Sequence, residues 1–108
     1  MTIKDSTVAP IPLADGVTYA ADAVVSKTIL DKKAGTLTLF AFDAGQGLSE
    51  HTAPFDATVQ VVEGRGEFTV GGKVLSVSTG SLLIMPANVP HSVRAKERFK
   101  MLLIMIRA

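Results

Sequence analysis

The stretches Gly45 to Gly64, GQGLSEHTAPFDATVQVVEG, and Gly80 to His91, GSLLIMPANVPH, decide how this chain is read. Each opens on a glycine and carries one of the chain's two histidines, His51 or His91. Between Thr58 and Glu63 the residues are β-branched or compatible with a strand. Gly64-Arg65-Gly66 follows as a sharp glycine-flanked bend. In the second stretch Leu82 to Met85 reads as a short strand, and Asn88-Val89-Pro90 turns the chain into His91.

Working outward, the same punctuation recurs on both sides. Short β-branched and aromatic runs predict strands over Val24 to Leu30, Thr36 to Phe42, Leu48 to His51, Thr58 to Glu63 and Gly66 to Val70. Four more are predicted over Lys73 to Val77, Leu82 to Met85, His91 to Ala95 and Phe99 to Arg107. Lys32-Lys33-Ala34-Gly35 and Gly71-Gly72 are turns, the glycine pair supplying the positive φ of a tight hairpin. Helical periodicity is absent, and many short strands call for closure, because open sheet edges invite aggregation. The expected fold is therefore all-β, one barrel domain over 17–108 behind an irregular arm over 1–16.

The final strand is apolar at every position from Met101 to Ile106, where a strand with one wet face should alternate. Two explanations stand: a central strand covered by the N-terminal arm, or a second face buried between two copies. A homodimer is the expectation, since an exposed patch this apolar is unusual.

Bulk properties narrow the function classes. A chain of 108 residues, 47% hydrophobic and 19% charged, fits one well-packed domain. A net charge of +1 gives no electrostatic case for nucleic acid or an anionic membrane. The longest apolar run is far short of the ~20 residues a membrane helix needs. The opening residues MTIKDSTVAPIPLADG lack the continuous apolar stretch of a secretory leader, so a cytoplasmic protein is expected. With no cysteine there are no disulfides and no thiolate ligands. Neither a phosphate-binding glycine loop nor a nucleophile elbow is present.

The spacing in the two opening stretches resembles the paired motifs of the cupin superfamily. The first runs Gly45, five residues, His51-Thr52-Ala53, three residues, Ala57, six residues, Gly64. The second runs Gly80, five residues, Pro86-Ala87-Asn88, two residues, His91. The resemblance implies a double-stranded β-helix, or jelly-roll, barrel. Asn88 stands where the family pattern has glycine, and asparagine is the next most tolerant residue of a left-handed backbone.

In metal-binding cupins two histidines and a glutamate of the first motif converge with the histidine of the second. Such a set suits Fe, Mn, Ni, Cu or Zn. Carried over position by position, this chain keeps His51 and His91 and has Ala53 and Ala57 where the other two ligands stand. Strand alternation with His51 inward sends Glu50 and Thr52 outward. Asp56 and Gln60 are the neighbours that could complete a two-histidine site. Gln60 would need a bulge to face inward.

The pair reads either as metal ligands or as polar groups kept in a ligand cavity, bonding a substrate, a water or each other. Met85, Met101 and Met105, with Phe40, Phe42 and Phe55, read either as the lining of an apolar pocket or as ordinary core. Glu63, Arg65 and Glu67 form a charged rim or a solvated turn. Phe55-Asp56 could gate the cavity mouth. The expected function is a small organic ligand bound in the barrel cavity; if a divalent metal binds, His51 and His91 are its ligands, and dioxygenase-like or isomerase-like chemistry would follow. The alternative is a metal-free binding or sensor module acting as a dimer.

Overall fold

Alternation between apolar and polar residues, repeated across short runs that turns fold back on one another, yields nine strands in the computed structural model. The model describes residues 8–107. The strands are β1 (Val24–Lys32), β2 (Gly35–Phe42), β3 (Gly47–His51), β4 (Asp56–Glu63), β5 (Arg65–Val70), β6 (Lys73–Ser78), β7 (Leu82–Met85), β8 (His91–Arg94) and β9 (Phe99–Ile106). They follow the sequence expectation to within two residues at every end. The lead-in expected over 1–16 lies outside the described residues for 1–7.

Every pairing is antiparallel, and the strands form two sheets ordered β1-β2-β9-β4-β7 and β3-β8-β5-β6. Consecutive strands often lie in different sheets, as in a jelly roll. The two inner faces enclose the core, and that core has two unlike halves. At one end Phe99 stacks on Phe42 with ring centroids 4.7 Å apart and meets Phe68 edge-on at 6.0 Å. Gly66 has no side chain because a Cβ there would sit 2.6 Å from atoms of the Phe99 ring. This half is solid. The other half is lined by Met85, Met101, Leu103 and Met105 and encloses a cavity.

The uniformly apolar β9 is explained by its two covered faces. Met101 is buried on the inside, while Leu102 on the outer face is buried in a second cluster with Val17, Leu39 and Ala41. Leu13 and Tyr19 pack against that outer cluster, so the segment before β1 covers part of the strand's second side. The cover is fastened by Lys100, only 7% exposed, whose Nζ donates to Ala14 O and lies 4.8 Å from the centre of the Tyr19 ring. The Tyr19 hydroxyl in turn donates to Glu63 Oε2 at 2.6 Å. Cover ends short of the strand's tip, where Ile106 stays exposed, as do Leu82 and Ile84 on β7.

The turns behave as the residue types dictate. Gly71 and Gly72 both have positive φ, at 56° and 81°, and join β5 to β6. Asn88 takes the left-handed conformation at φ 63° and carries the chain toward His91.

Candidate functional site

His51 ends β3 and His91 begins β8, and the two residues are direct partners in the pairing of those strands. Their approach depends on an irregularity. Leu48 pairs with Val93 and His51 with His91, so three steps along β3 match two along β8. The extra residue is a β-bulge, which re-aims side chains at functional sites. It brings both Leu48 and His51 onto the cavity wall, where unbroken alternation would put them on opposite faces.

Both rings are oriented by backbone carbonyls two residues earlier. His51 Nδ1–H donates to Ser49 O at 2.7 Å, within the bulge, and His91 Nδ1–H donates to Val89 O at 3.2 Å. A carbonyl can only accept, so each bond places the proton on Nδ1 and leaves Nε2 of a neutral ring as a lone pair. Those two Nε2 atoms face each other 3.1 Å apart, the rings inclined at 70°. Two lone pairs do not bond to one another. Something that accepts electron pairs belongs between them, a proton or a metal ion. Burial, the largest influence, pushes the His91 pKa down. The Val89 bond opposes that shift and the neighbouring His51 adds to it. A second proton on His91 is thus disfavoured.

The geometry of the pair fits a metal. Nitrogens bound about 2.1 Å from one ion are roughly 3.0 Å apart at adjacent octahedral positions and roughly 3.4 Å apart at tetrahedral ones. The observed 3.1 Å lies between these. His91 is 4% exposed while His51 reaches solvent, so the pair stands at the cavity mouth with one ring inside and one at the rim.

Behind them the cavity has a volume of about 80 Å³. That is roughly the share of two or three liquid waters and well below the ~300 Å³ of pockets for drug-sized ligands. Ala53 and Ala57 line it, so both alanines of the first motif face inward beside the histidines. Among the described residues no Asp, Glu, Gln or Asn lines it. Gln60 and Asp56 are placed elsewhere. The β4 register runs unbroken from Asp56 to Val61, so no bulge reverses Gln60, which pairs with Leu82 on the outer face. Asp56 also points away from the cavity. Its Oδ1 accepts the Ala87 N–H at 2.9 Å. Among the described residues no group of three or more His, Cys, Asp or Glu converges to hold a metal. Phe55 lies under the Arg107 guanidinium at 5.8 Å and is no part of the cavity wall.

Asp56 instead ties the segment that follows His51 to the one that precedes His91. Beside its bond to Ala87, Asn88 N–H donates to Ala53 O at 2.7 Å. Asp56→Ala is expected to cost about 1 kcal/mol of stability, the ordinary net worth of one hydrogen bond. It should also loosen His91, read as a broadening of its imidazole NMR resonances with those of Tyr19 unchanged.

The charged rim is largely structural. Glu63 pairs with Lys100 at 3.7 Å and Glu67 with Lys96 at 3.1 Å. A larger surface depression of about 420 Å³ lies there, walled by Arg65, Glu67 and Lys96, and it contains neither histidine. Sequence reasoning located both histidines and both alanines but missed the carbonyl locks on Nδ1. Those bonds use main-chain carbonyls, Ser49 O and Val89 O, so no residue type signals them.

A cupin domain family model matches residues 38–107. Among solved structures, a conserved protein of unknown function from Streptococcus pyogenes is 31% identical, with a TM-score of 0.88 over 94% of this chain and 89% of that one. A cupin 2 conserved barrel domain protein from Leptotrichia buccalis is 41% identical with a TM-score of 0.85. It aligns with 88% of this chain, which spans 46% of that protein's length. A cupin superfamily protein from Desulfitobacterium hafniense is 26% identical, with a TM-score of 0.86 over 92% of this chain and 91% of that one. No curated protein matches the sequence.

Proposed function

The chain belongs to the cupin domain family, and from that footing we propose that it binds a metal ion through Nε2 of His51 and His91, beside a cavity that admits a small organic ligand. The observation carrying this reading is the convergence of two lone pairs at 3.1 Å, each ring held by a carbonyl on its far nitrogen. Imidazoles fixed at one nitrogen by a backbone carbonyl and free at the other are the usual form of a histidine metal ligand. The fit is partial. The pair supplies two adjacent ligand positions, and Ala53 and Ala57 supply none.

When bound, such an ion acts as a Lewis acid on an oxygen or nitrogen of the ligand. The protein's own part is positional. Exposed His51 leaves the site open to solvent, and the apolar wall behind His91 receives the ligand's hydrocarbon end. At about 80 Å³ the cavity takes only a small group, so a larger ligand would keep its remainder outside the mouth.

Metal content of the untagged protein, measured by mass spectrometry after growth in metal-replete medium, tests the reading. One equivalent per chain is expected, lost in His51→Ala and in His91→Ala. His51 is exposed, so its variant removes a ligand without opening the core. Wild-type protein that neither retains metal nor takes it up on titration refutes the proposal. Ligand-dependent melting that survives in both variants would then favour a metal-free binding module.

A further inference from the structure

The donor side chains around the cavity are all neutral, thioethers beside the two imidazoles. Of the chain's four methionines, Met85, Met101 and Met105 all line this cavity. Two of them flank a position that matters. Ala57, at the centre of a cross-strand row, pairs with Met85 of β7 on one side and with Met105 of β9 on the other. Directly paired residues project to the same face with Cβ atoms about 5 Å apart. The row therefore sets two thioethers on either side of a methyl, opposite the sheet that carries the histidine pair.

We propose that the ion held by His51 and His91 is copper in the cuprous state, with the thioether of Met85 or Met105 completing its coordination. This rests on the metal reading of the histidine pair and adds the identity of the ion. Two arguments carry it. The first is softness: thioether donors favour Cu(I), and imidazole accepts copper as readily as Zn, Fe or Ni, whereas Mg, Ca and Mn favour carboxylate, carbonyl and water oxygens. Among the described residues, the cavity wall has two imidazoles and three thioethers and no carboxylate.

The second argument is charge. All of these donors are neutral, so nothing in the wall offsets the charge of the ion. Desolvation cost rises with the square of the charge, so a divalent ion costs about four times as much as a monovalent one in the same apolar surroundings. The opposing view is that the methionines only fill space, the usual role of this flexible side chain in a core.

Anaerobic titration of the full chain with Cu(I) against a chromophoric cuprous chelator, and with Zn(II) and Mn(II) in parallel, decides between them. Wild-type protein should hold one Cu(I) per chain, more tightly than either divalent ion. X-ray absorption of that complex should show sulfur as well as nitrogen scatterers. The Met85→Leu/Met105→Leu variant keeps the core volume nearly constant. It should lose roughly tenfold or more in Cu(I) affinity, with Zn(II) affinity unchanged.

Unchanged Cu(I) affinity in that variant, or a nitrogen-only shell in the wild type, overturns the inference and makes the methionines packing. Tighter binding of Zn(II) or Mn(II) overturns it too, while leaving the histidine site standing. Failure to bind any of the three ions removes both. The absorption measurement uses wild-type protein, so the inference stays testable even if the double variant folds poorly.

Discussion

Phe99→Ala is expected to remove about 3–5 kcal/mol of folding stability, the usual cost of emptying a fully buried phenylalanine site. The residue is fully buried at the start of β9, stacked on Phe42 and edge-on to Phe68. Its neighbours cannot collapse into the space. Phe42 is held by pairing of β2 with β9, Phe68 by pairing of β5 with β6 and β8, and Gly66 brings no side chain to fill the gap. For a domain of this size the loss corresponds to a fall in melting temperature on the order of 15–30 °C, readable by circular dichroism. Phe55→Ala is the control. That ring is only half-buried under Arg107, and its loss should cost about 1 kcal/mol or less. Equal effects at the two positions would show that the aromatic end does not anchor the barrel.

The fold was legible chiefly at its turns. Glycines at Gly45, Gly64 and Gly80 have positive φ, so the residues that set the motif spacing are the ones the backbone requires at its turns. Many strand boundaries follow from local composition, because the turns at Gly45, Gly64, Gly71-Gly72, Gly80 and Asn88 use residues that interrupt a strand. Asn88 followed the same logic. The left-handed conformation inferred from a glycine-tolerant position is the one it adopts.

The site was legible only as far as local rules reach. His51, His91, Ala53 and Ala57 all face the cavity, as motif positions imply. The bulge in β3 was not foreseeable, because it is a property of pairing with β8 and no residue of GLSEH announces it. An inward Gln60 would need a bulge in β4, and there the pairing is regular. The irregularity in β4 falls later, between Val61 and Glu63. Lys100 was hidden for a related reason. A lysine at the edge of an apolar run reads as exposed, yet Ala14 and Tyr19, more than eighty residues earlier, bury it.

The methionine row could have been found. Once Ala57 is inward, strand parity carries Val59 and Val61 inward with it, and the same parity along β9 selects Met101, Leu103 and Met105. What parity cannot supply is register. That Met85 and Met105 both sit directly opposite Ala57 depends on how β7 and β9 align with β4.

Restoring the two missing ligands should produce the largest functional change. In the Ala53→His/Ala57→Glu variant both new side chains start from positions on the cavity wall, beside His51 and His91. Without metal the variant should be less stable than the wild type. Ala57 is only 2% exposed, so a glutamate there overfills a packed face and places a carboxylate among methionines. Burial would push that carboxyl pKa upward, adding to the loss as pH rises and the group is forced to ionise. With Zn(II) or Mn(II) the order should reverse. An ion present at a thousandfold excess over its dissociation constant stabilises the folded state by about 4 kcal/mol. A carboxylate also gives the wall the negative charge it lacks for a divalent ion. Melting curves with and without metal should therefore cross, the variant below the wild type when apo and above it when loaded. Divalent affinity should rise on the order of a thousandfold, at the expense of any preference for Cu(I). If the variant folds but gains no divalent affinity, Ala53 and Ala57 are not the positions that decide what this barrel holds.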